Sequence, residues 1–236
     1  MAPANAANKA GRMSRKRFEQ LPDERRAKIL AVAARTFAEN GFAGTSYNLL
    51  LVEAGLGKGS AYYYFADKED LFLTVVQACY RRFFESIGDL PSPSTPDGFW
   101  KLVAEVAERG MRFMRKDPTS AALMQCFVRE QRTLGVLASS ALHDSVEGYY
   151  AELIGLGRTL GAVRHDLPEQ LLLDVARAVS TAFDQWFITQ GQHATAARMR
   201  QLAEQFADLT RRLLEPATAE RPRKAGVKRA KRGSRR

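Results

Sequence analysis

The sequence predicts an all-α protein, and three observations predict it. Apolar residues recur at spacings of three and four between the two termini, and no run alternates strictly between apolar and polar residues as a half-buried strand would. Helix starts and stops are marked throughout by prolines, capping residues and glycines. A composition of 45% hydrophobic and 26% charged residues over 236 positions is that of an ordinary globular chain able to bury a core without a metal or disulfides.

The first helix is announced by Leu21-Pro22-Asp23-Glu24, since proline suits a first turn and acids favour the positive end of the helix dipole. Ile29, Ala33 and Phe37 give it one buried stripe, and Asn40-Gly41 ends it, glycine supplying the left-handed residue that closes many helices. Thr45 or Ser46 can cap the next helix, which runs to about Ala54 and is cut by Gly55. A third helix spans Lys58 to Tyr64. Asp67 caps a fourth, from Lys68 to about Ile87, with Leu71, Val75, Cys79 and Phe83 on its inner stripe. The proline-rich breaker Pro91 to Pro96 follows, then helices at about 97–116, 118–132, 136–161, 168–190 and 195–214.

Charge is distributed unevenly. Lys9, Arg12, Arg15, Lys16 and Arg17 at the N-terminus and nine bases from Arg221 to Arg236 stand in acid-free stretches, so the net charge of +10 comes from two arms and the body between them is net −4. Blocks of like charge do not collapse on themselves and bind polyanions by releasing counterions; the alternative is that these arms only keep the chain soluble. No stretch approaches the ~20 apolar residues of a membrane span. Residues 1–17 lack the apolar segment of a secretory signal, and two cysteines in apolar surroundings suit a reducing compartment, so a cytoplasmic protein away from membranes is expected.

Residues 45–65 carry the strongest signal. Two short helices meet at a turn pivoting on Gly55, and Leu50, Leu56 and Ala61 would bury between them. This is the pattern of a helix-turn-helix, in which the second helix enters the DNA major groove and the first crosses the backbone. Gly57-Lys58-Gly59-Ser60 offers unhindered N–H groups to phosphates, and Lys58 and Ser60 can reach base edges. Tyr62, Tyr63 and Tyr64 point in three directions around a helix, so they cannot all be core residues, as a plain helical hairpin would need them to be.

From Arg26 to Leu71 the sequence resembles the tetracycline-repressor family of bacterial transcriptional regulators. The resemblance rests on Ile29-Leu30, Ala33-Ala34, Phe37, Gly41-Phe42, Thr45-Ser46, Ala54-Gly55-Leu56, Lys58-Gly59, Tyr62, Tyr64-Phe65 and Lys68-Glu69. It implies a helix-turn-helix DNA-binding unit within a homodimer, with Lys58, Gly59, Ser60 and Tyr62 facing the groove. Ser46, Tyr47, Tyr63, Tyr64 and Lys68 would hold phosphates, and Asn48 could do either. Two positions depart from the family pattern: Leu51 replaces a small alanine where the helices cross most closely, and Gly57 replaces a Ser or Thr cap.

The resemblance also implies a second helical domain that binds a small effector, here largely apolar, whose arrival ends DNA binding. Trp100, Phe113, Met114, Met124, Phe127, Tyr149, Phe183 and Trp186 are the candidates for its pocket, although such side chains at helical spacing are commonly plain core. Glu105, Glu108 and Glu130 are balanced by neighbouring arginines, so no charge preference follows. In the last two helices, Leu172, Val175, Val179, Phe183 and Trp186, and Met199, Leu202, Phe206, Leu209 and Leu213, form stripes suited to a dimer seam, with Asp174, Arg177, Thr181 and Asp184 opposite the first.

The expected organisation is a basic arm over 1–20, a DNA-binding unit over 21–66, an effector and dimerisation domain over 67–216, and a basic tail over 217–236. The three histidines stand apart from one another, and no P-loop, dinucleotide fingerprint or nucleophile elbow occurs, so neither enzyme, metal nor cofactor is expected. The expected partners are an operator in double-stranded DNA, a second copy of the chain and the effector. The competing reading is a general nucleic-acid binder that relies on its arms and recognises no discrete site.

Overall fold

The computed structural model describes residues 17–131 and 141–217, in which every regular element is a helix. The basic arms up to residue 16 and from residue 218, and the expected helix start at 136–140, lie outside the described residues.

Helix α1 (Asp23–Gly44) begins after Pro22 and buries Ile29, Ala33 and Phe37 as their spacing requires. Its helical geometry breaks at Gly41, whose φ of 70° and ψ of 174° fall in a region open essentially to glycine alone. Helices α2 (Tyr47–Glu53) and α3 (Lys58–Tyr64) follow, separated by a turn in which Gly55 takes a φ of 70°. Leu50, Leu56 and Ala61 are buried between them. Leu51, the expected point of strain, is also buried to 1% in this core, so the larger side chain is packed rather than expelled. Gly57 occupies the α3 cap position without a side-chain bond, as a glycine must.

Helix α4 (Lys68–Ile87) starts at Asp67, whose carboxylate accepts a 2.8 Å hydrogen bond from the Asp70 amide. Helices α5 (Pro96–Lys116), α6 (Pro118–Gln131), α7 (Ala141–Thr159), α8 (Glu169–Trp186) and α9 (Ala196–Leu214) complete the fold. The helix expected over 168–190 is not uniform, since a π-helical turn occupies Phe187–Gly191.

The first core joins α1–α4 to Leu123, Cys126 and Phe127 of α6, so it runs across the expected boundary at residues 66 and 67. α1 packs on α6, and α5 packs on α9. The arm expected to run through residue 20 ends sooner: residues 17–19 form a helical turn, and Phe18 is buried with its ring 4.9 Å from Phe65. Cys79 and Cys126 are buried, unpaired thiols whose ionisation is suppressed by desolvation. Among the described residues no helix is long and apolar enough to cross a membrane.

Candidate functional site

The outward face of α2 and α3 gathers most of the residues singled out for DNA. Ser46 and Asn48 are exposed at the start of α2; Lys58 opens α3; Gly59, Ser60, Tyr62 and Tyr63 are exposed along it. Tyr62 keeps 59% of its surface, far more than a residue placed for packing would. The face also includes Leu49 and Val52, exposed to 72% and 76%, which periodicity alone did not single out. Their signal was indirect: with Leu50 and Leu51 both buried, a seven-residue helix must turn its remaining apolar side chains outward.

Two tyrosines sit deeper than expected. Tyr64 is half-buried, with its ring edge-on to Phe18 at 6.4 Å. Tyr47 is half-buried against Tyr62, and its hydroxyl is enclosed without a hydrogen-bond partner. Desolvation, reinforced by Tyr62, Asp67 and Asp70, pushes the Tyr47 phenol up to about 12. Arg17, assigned to the arm, instead lies over the Tyr63 ring at 4.4 Å from its centroid.

Lys68 departs most from expectation. Its ammonium donates to the carbonyl oxygens of Phe42 at 2.9 Å and Thr45 at 3.0 Å and lies 4.5 Å from the Phe42 ring centroid. In this position it closes the carbonyl end of α1 onto α4 with two of its three donors. Thr45 reinforces the same corner, its hydroxyl donating to the Gly41 carbonyl at 2.6 Å. The reading helices are also tied from behind by an ion pair between Arg35 of α1 and Glu53 of α2.

A second candidate site lies among α4–α9, a cavity of about 190 Å³. Of the residues singled out for a pocket, Trp100, Met114, Met124, Phe127, Tyr149 and Phe183 line it. Phe113 and Trp186 do not: Phe113 is buried in a neighbouring core, and Trp186 is 43% exposed on the outer surface.

Polar lining residues come chiefly from α7 and α8: Glu147, Arg177, Ser180, Thr181 and Asp184. Of the residues expected opposite the apolar stripe of α8, Arg177, Thr181 and Asp184 face the cavity and Asp174 is exposed. Asp184 retains some surface, but that surface opens onto the cavity, and desolvation lifts its carboxyl to about 7.

The expected dimer seam is likewise corrected. Leu172, Leu202 and Phe206 are buried within the protomer, and Val175, Val179 and Phe183 are half-buried against the same core. Met199 is buried as well, whereas Trp186, Leu209 and Leu213 of that set are exposed, at 43%, 51% and 43%. Leu171, Ala178 and Ala182 are exposed on α8 beside Trp186.

Similarity to known proteins falls on the same elements. Residues 29–75 match the family described as bacterial regulatory proteins, tetR family. The HTH-type transcriptional repressor AcnR of Corynebacterium diphtheriae is 35% identical over 65 residues, 28% of this chain and 34% of the relative. The chain thus spans about a third of the length of the AcnR relatives it matches. An uncharacterized HTH-type transcriptional regulator, YhgD of Bacillus subtilis, is 29% identical over 150 residues, 62% of this chain and 75% of the relative.

The fold itself resembles a putative tetR family transcription regulator from Shewanella sp. PV-4, with a TM-score of 0.66 at 21% identity over 82% of this chain and 99% of that one. A TetR family regulator from Chloroflexus aurantiacus J-10-FL gives a TM-score of 0.60 at 24% identity, covering 86% and 98%. The matched segment thus holds the helix-turn-helix and is similar to the tetR family of bacterial regulatory proteins, and the all-α body behind it shares the fold of the solved tetR-family structures.

Proposed function

We propose that the protein is a DNA-binding transcriptional regulator, a repressor by analogy with the AcnR relatives, that reads a palindromic operator as a homodimer and is released by a small, largely apolar molecule. The observation that carries this reading is the outward face of α2 and α3. Ser46, Asn48, Gly59, Ser60, Tyr62 and Tyr63 are exposed together on two short helices pinned from behind by Lys68 and the Arg35–Glu53 pair. Ser60 and Tyr62, with Lys58, would meet base edges; Ser46, Asn48 and Tyr63 would meet phosphates, and Leu49 and Val52 would press on sugars. The enclosed Tyr47 hydroxyl lacks a partner and would gain one by turning toward a phosphate.

The reading unit from Phe18 to Phe72 is itself net −2, so the basic arms would supply the long-range attraction to DNA while α3 supplies specificity. Two copies would meet through Ala178, Ala182 and Trp186 of α8 and Leu209 and Leu213 of α9, the apolar positions that the protomer leaves uncovered. Helix α4 connects the two sites physically. It carries Lys68 beneath the reading helices and, about 18 Å along at 1.5 Å per residue, Tyr80 in the cavity wall. A guest that shifts Tyr80 would therefore tilt the support of α3.

Selection from random duplex DNA with the full chain tests this reading. The expected product is a two-fold symmetric sequence with half-sites one or two helical turns apart. Failure to enrich any sequence, with DNA still bound, would favour the general nucleic-acid binder.

A further inference from the structure

Charge around the cavity does not balance. The walls from α5 and α6 are apolar, built from residues such as Trp100, Val103, Met114 and Phe127. The charged lining residues are Glu147 of α7 and Arg177 and Asp184 of α8. Arg177 is already held twice, by Glu147 across the gap between these helices and by Asp174 at 2.5 Å. Asp184 has no ion pair and no hydrogen bond among the described residues. Its neighbours are phenols: Tyr80 of α4 and Tyr150 of α7 lie close enough for its charge to hinder their ionisation, and the Tyr150 hydroxyl is engaged with Ser180.

A carboxylate enclosed by apolar and aromatic groups without a cation is costly, and a ligand that supplies the cation recovers that cost. We propose that the effector is a small apolar amine, bound as its ammonium ion by Asp184, with its hydrocarbon body against the α5–α6 wall. The proposal rests on the reading that this cavity takes the effector. Aromatic faces of Tyr80, Tyr150 and Trp100 around the same space favour a cation further.

The alternatives fit worse. A carboxylic acid would bring a second negative charge to Asp184, and a neutral molecule would leave it unpaired. Size limits the body to one or two rings: the 190 Å³ available is somewhat more than the ~150 Å³ of an engineered core cavity that takes benzene.

The cavity also fixes the sign of the pH dependence. The ionisable groups facing Asp184 are Tyr80 from α4, Glu147, Tyr149 and Tyr150 from α7, and Arg177 on its own helix, while α5, α6 and α9 contribute none. Burial pushes all three phenols up, so they stay protonated near neutrality, and Glu147 is paired with Arg177. Asp184, at about 7, is the group that changes charge, and alkylamines stay protonated throughout. Amine affinity is therefore expected to fall as the pH is lowered from 8 to 6.

The test uses the full chain and three probes of matched shape: phenethylamine, 2-phenylethanol and phenylacetate, titrated calorimetrically at pH 8. Phenethylamine is expected to bind about tenfold or more tighter than the alcohol, with phenylacetate weakest, and Asp184→Asn is expected to erase the preference. Should that variant misfold, the wild-type comparison at pH 8 and pH 6 decides: the amine should weaken at pH 6 and the alcohol should not. Equal or better binding of the alcohol or the acid, an amine preference that survives in Asp184→Asn, or no binding of either phenethylamine or the bulkier tryptamine at millimolar concentration would overturn the proposal. DNA affinity is read separately. An amine that binds through Asp184 and leaves operator affinity unchanged upholds the amine site and overturns only the release reading.

Discussion

Replacing Lys68 with methionine keeps the length of the side chain and removes its charge, which isolates the corner where α1, the α2 start and α4 meet. The ammonium makes two hydrogen bonds to main-chain carbonyls, at 2.9 and 3.0 Å, and one cation–π contact at 4.5 Å. Hydrogen bonds from a charged donor contribute about 1.5–3 kcal/mol each. A partly buried cation–π contact adds about 0.5–1 kcal/mol.

Against these stand about 2 kcal/mol of lysine side-chain entropy and partial access of water to the site. A net loss of about 2–3 kcal/mol follows, because the Thr45 carbonyl loses its lysine donor and the Phe42 carbonyl keeps only the Thr45 amide at 3.3 Å and the Cys126 thiol. For a chain of this size that is a fall in Tm of about 4–12 °C. Thermal unfolding followed by circular dichroism measures it. A Tm within 1 °C of wild type, together with weaker DNA binding, would show that Lys68 serves a phosphate, and the assignment of Lys68 as a structural clamp would be wrong.

Three further expectations follow from other parts of the fold. Gly41→Ala places a side chain at φ 70° and ψ 174° with only ordinary contacts, to Arg129 at 3.8 Å and Glu130 at 4.0 Å, so strain alone should cost about 1–3 kcal/mol in a urea titration; no loss would contradict the backbone assignment. Asp184 binds its proton more tightly folded than unfolded, because its carboxyl rises from 3.8 to about 7. Its contribution to stability is therefore fully present below pH 4 and lost as pH rises to 7, by about 2–3 kcal/mol after allowing for screening by the cavity's contents. Asp184→Asn should flatten that slope, and an unchanged slope would place the titration elsewhere. Leu209→Glu puts a charge on the exposed face of α9 without touching the core, and sedimentation should show monomers where wild type sediments as a dimer; a wild-type monomer at micromolar concentration would refute the proposed seam.

Local rules made much of this fold legible in the sequence. Asn40-Gly41 and Gly55 marked the turns because few other residues take their backbone angles, and Asp67 marked a helix start because its carboxylate can satisfy an amide three residues on. The exposure of Ser46, Asn48, Ser60, Tyr62 and Tyr63 on α2 and α3 was legible too, through residues whose type does not suit a core. What escaped depends on tertiary direction.

Periodicity reports that α8 has an apolar and a polar side, and it does not distinguish solvent from an internal cavity, so it could not show that Arg177, Thr181 and Asp184 face a cavity while Asp174 faces solvent. Lys68 matched a family position for phosphate, but the carbonyls that capture it come from residues 23 and 26 positions earlier. Phe18 followed a run of basic residues and was grouped with them, although its ring completes the core against Phe65. The apolar seam residues failed for the same reason as Asp184: Leu172, Leu202 and Phe206 recur as seam residues do, yet they fill the protomer's own core.

The central claim is that the exposed residues of α2 and α3 read DNA sequence. Its most direct measurement is the affinity of Ser60→Ala/Tyr62→Ala for the selected operator and for random duplex of equal length, at one salt concentration. Both side chains are exposed and only the Tyr62 ring contact with Tyr47 is lost, so the melting temperature should fall by no more than about 1–6 °C. Operator affinity is expected to fall by about 25-fold or more, at roughly 1–3 kcal/mol for each of the two lost base contacts, while random-DNA affinity falls far less. Operator and random DNA weakened by the same factor, or operator affinity unchanged, would contradict the claim.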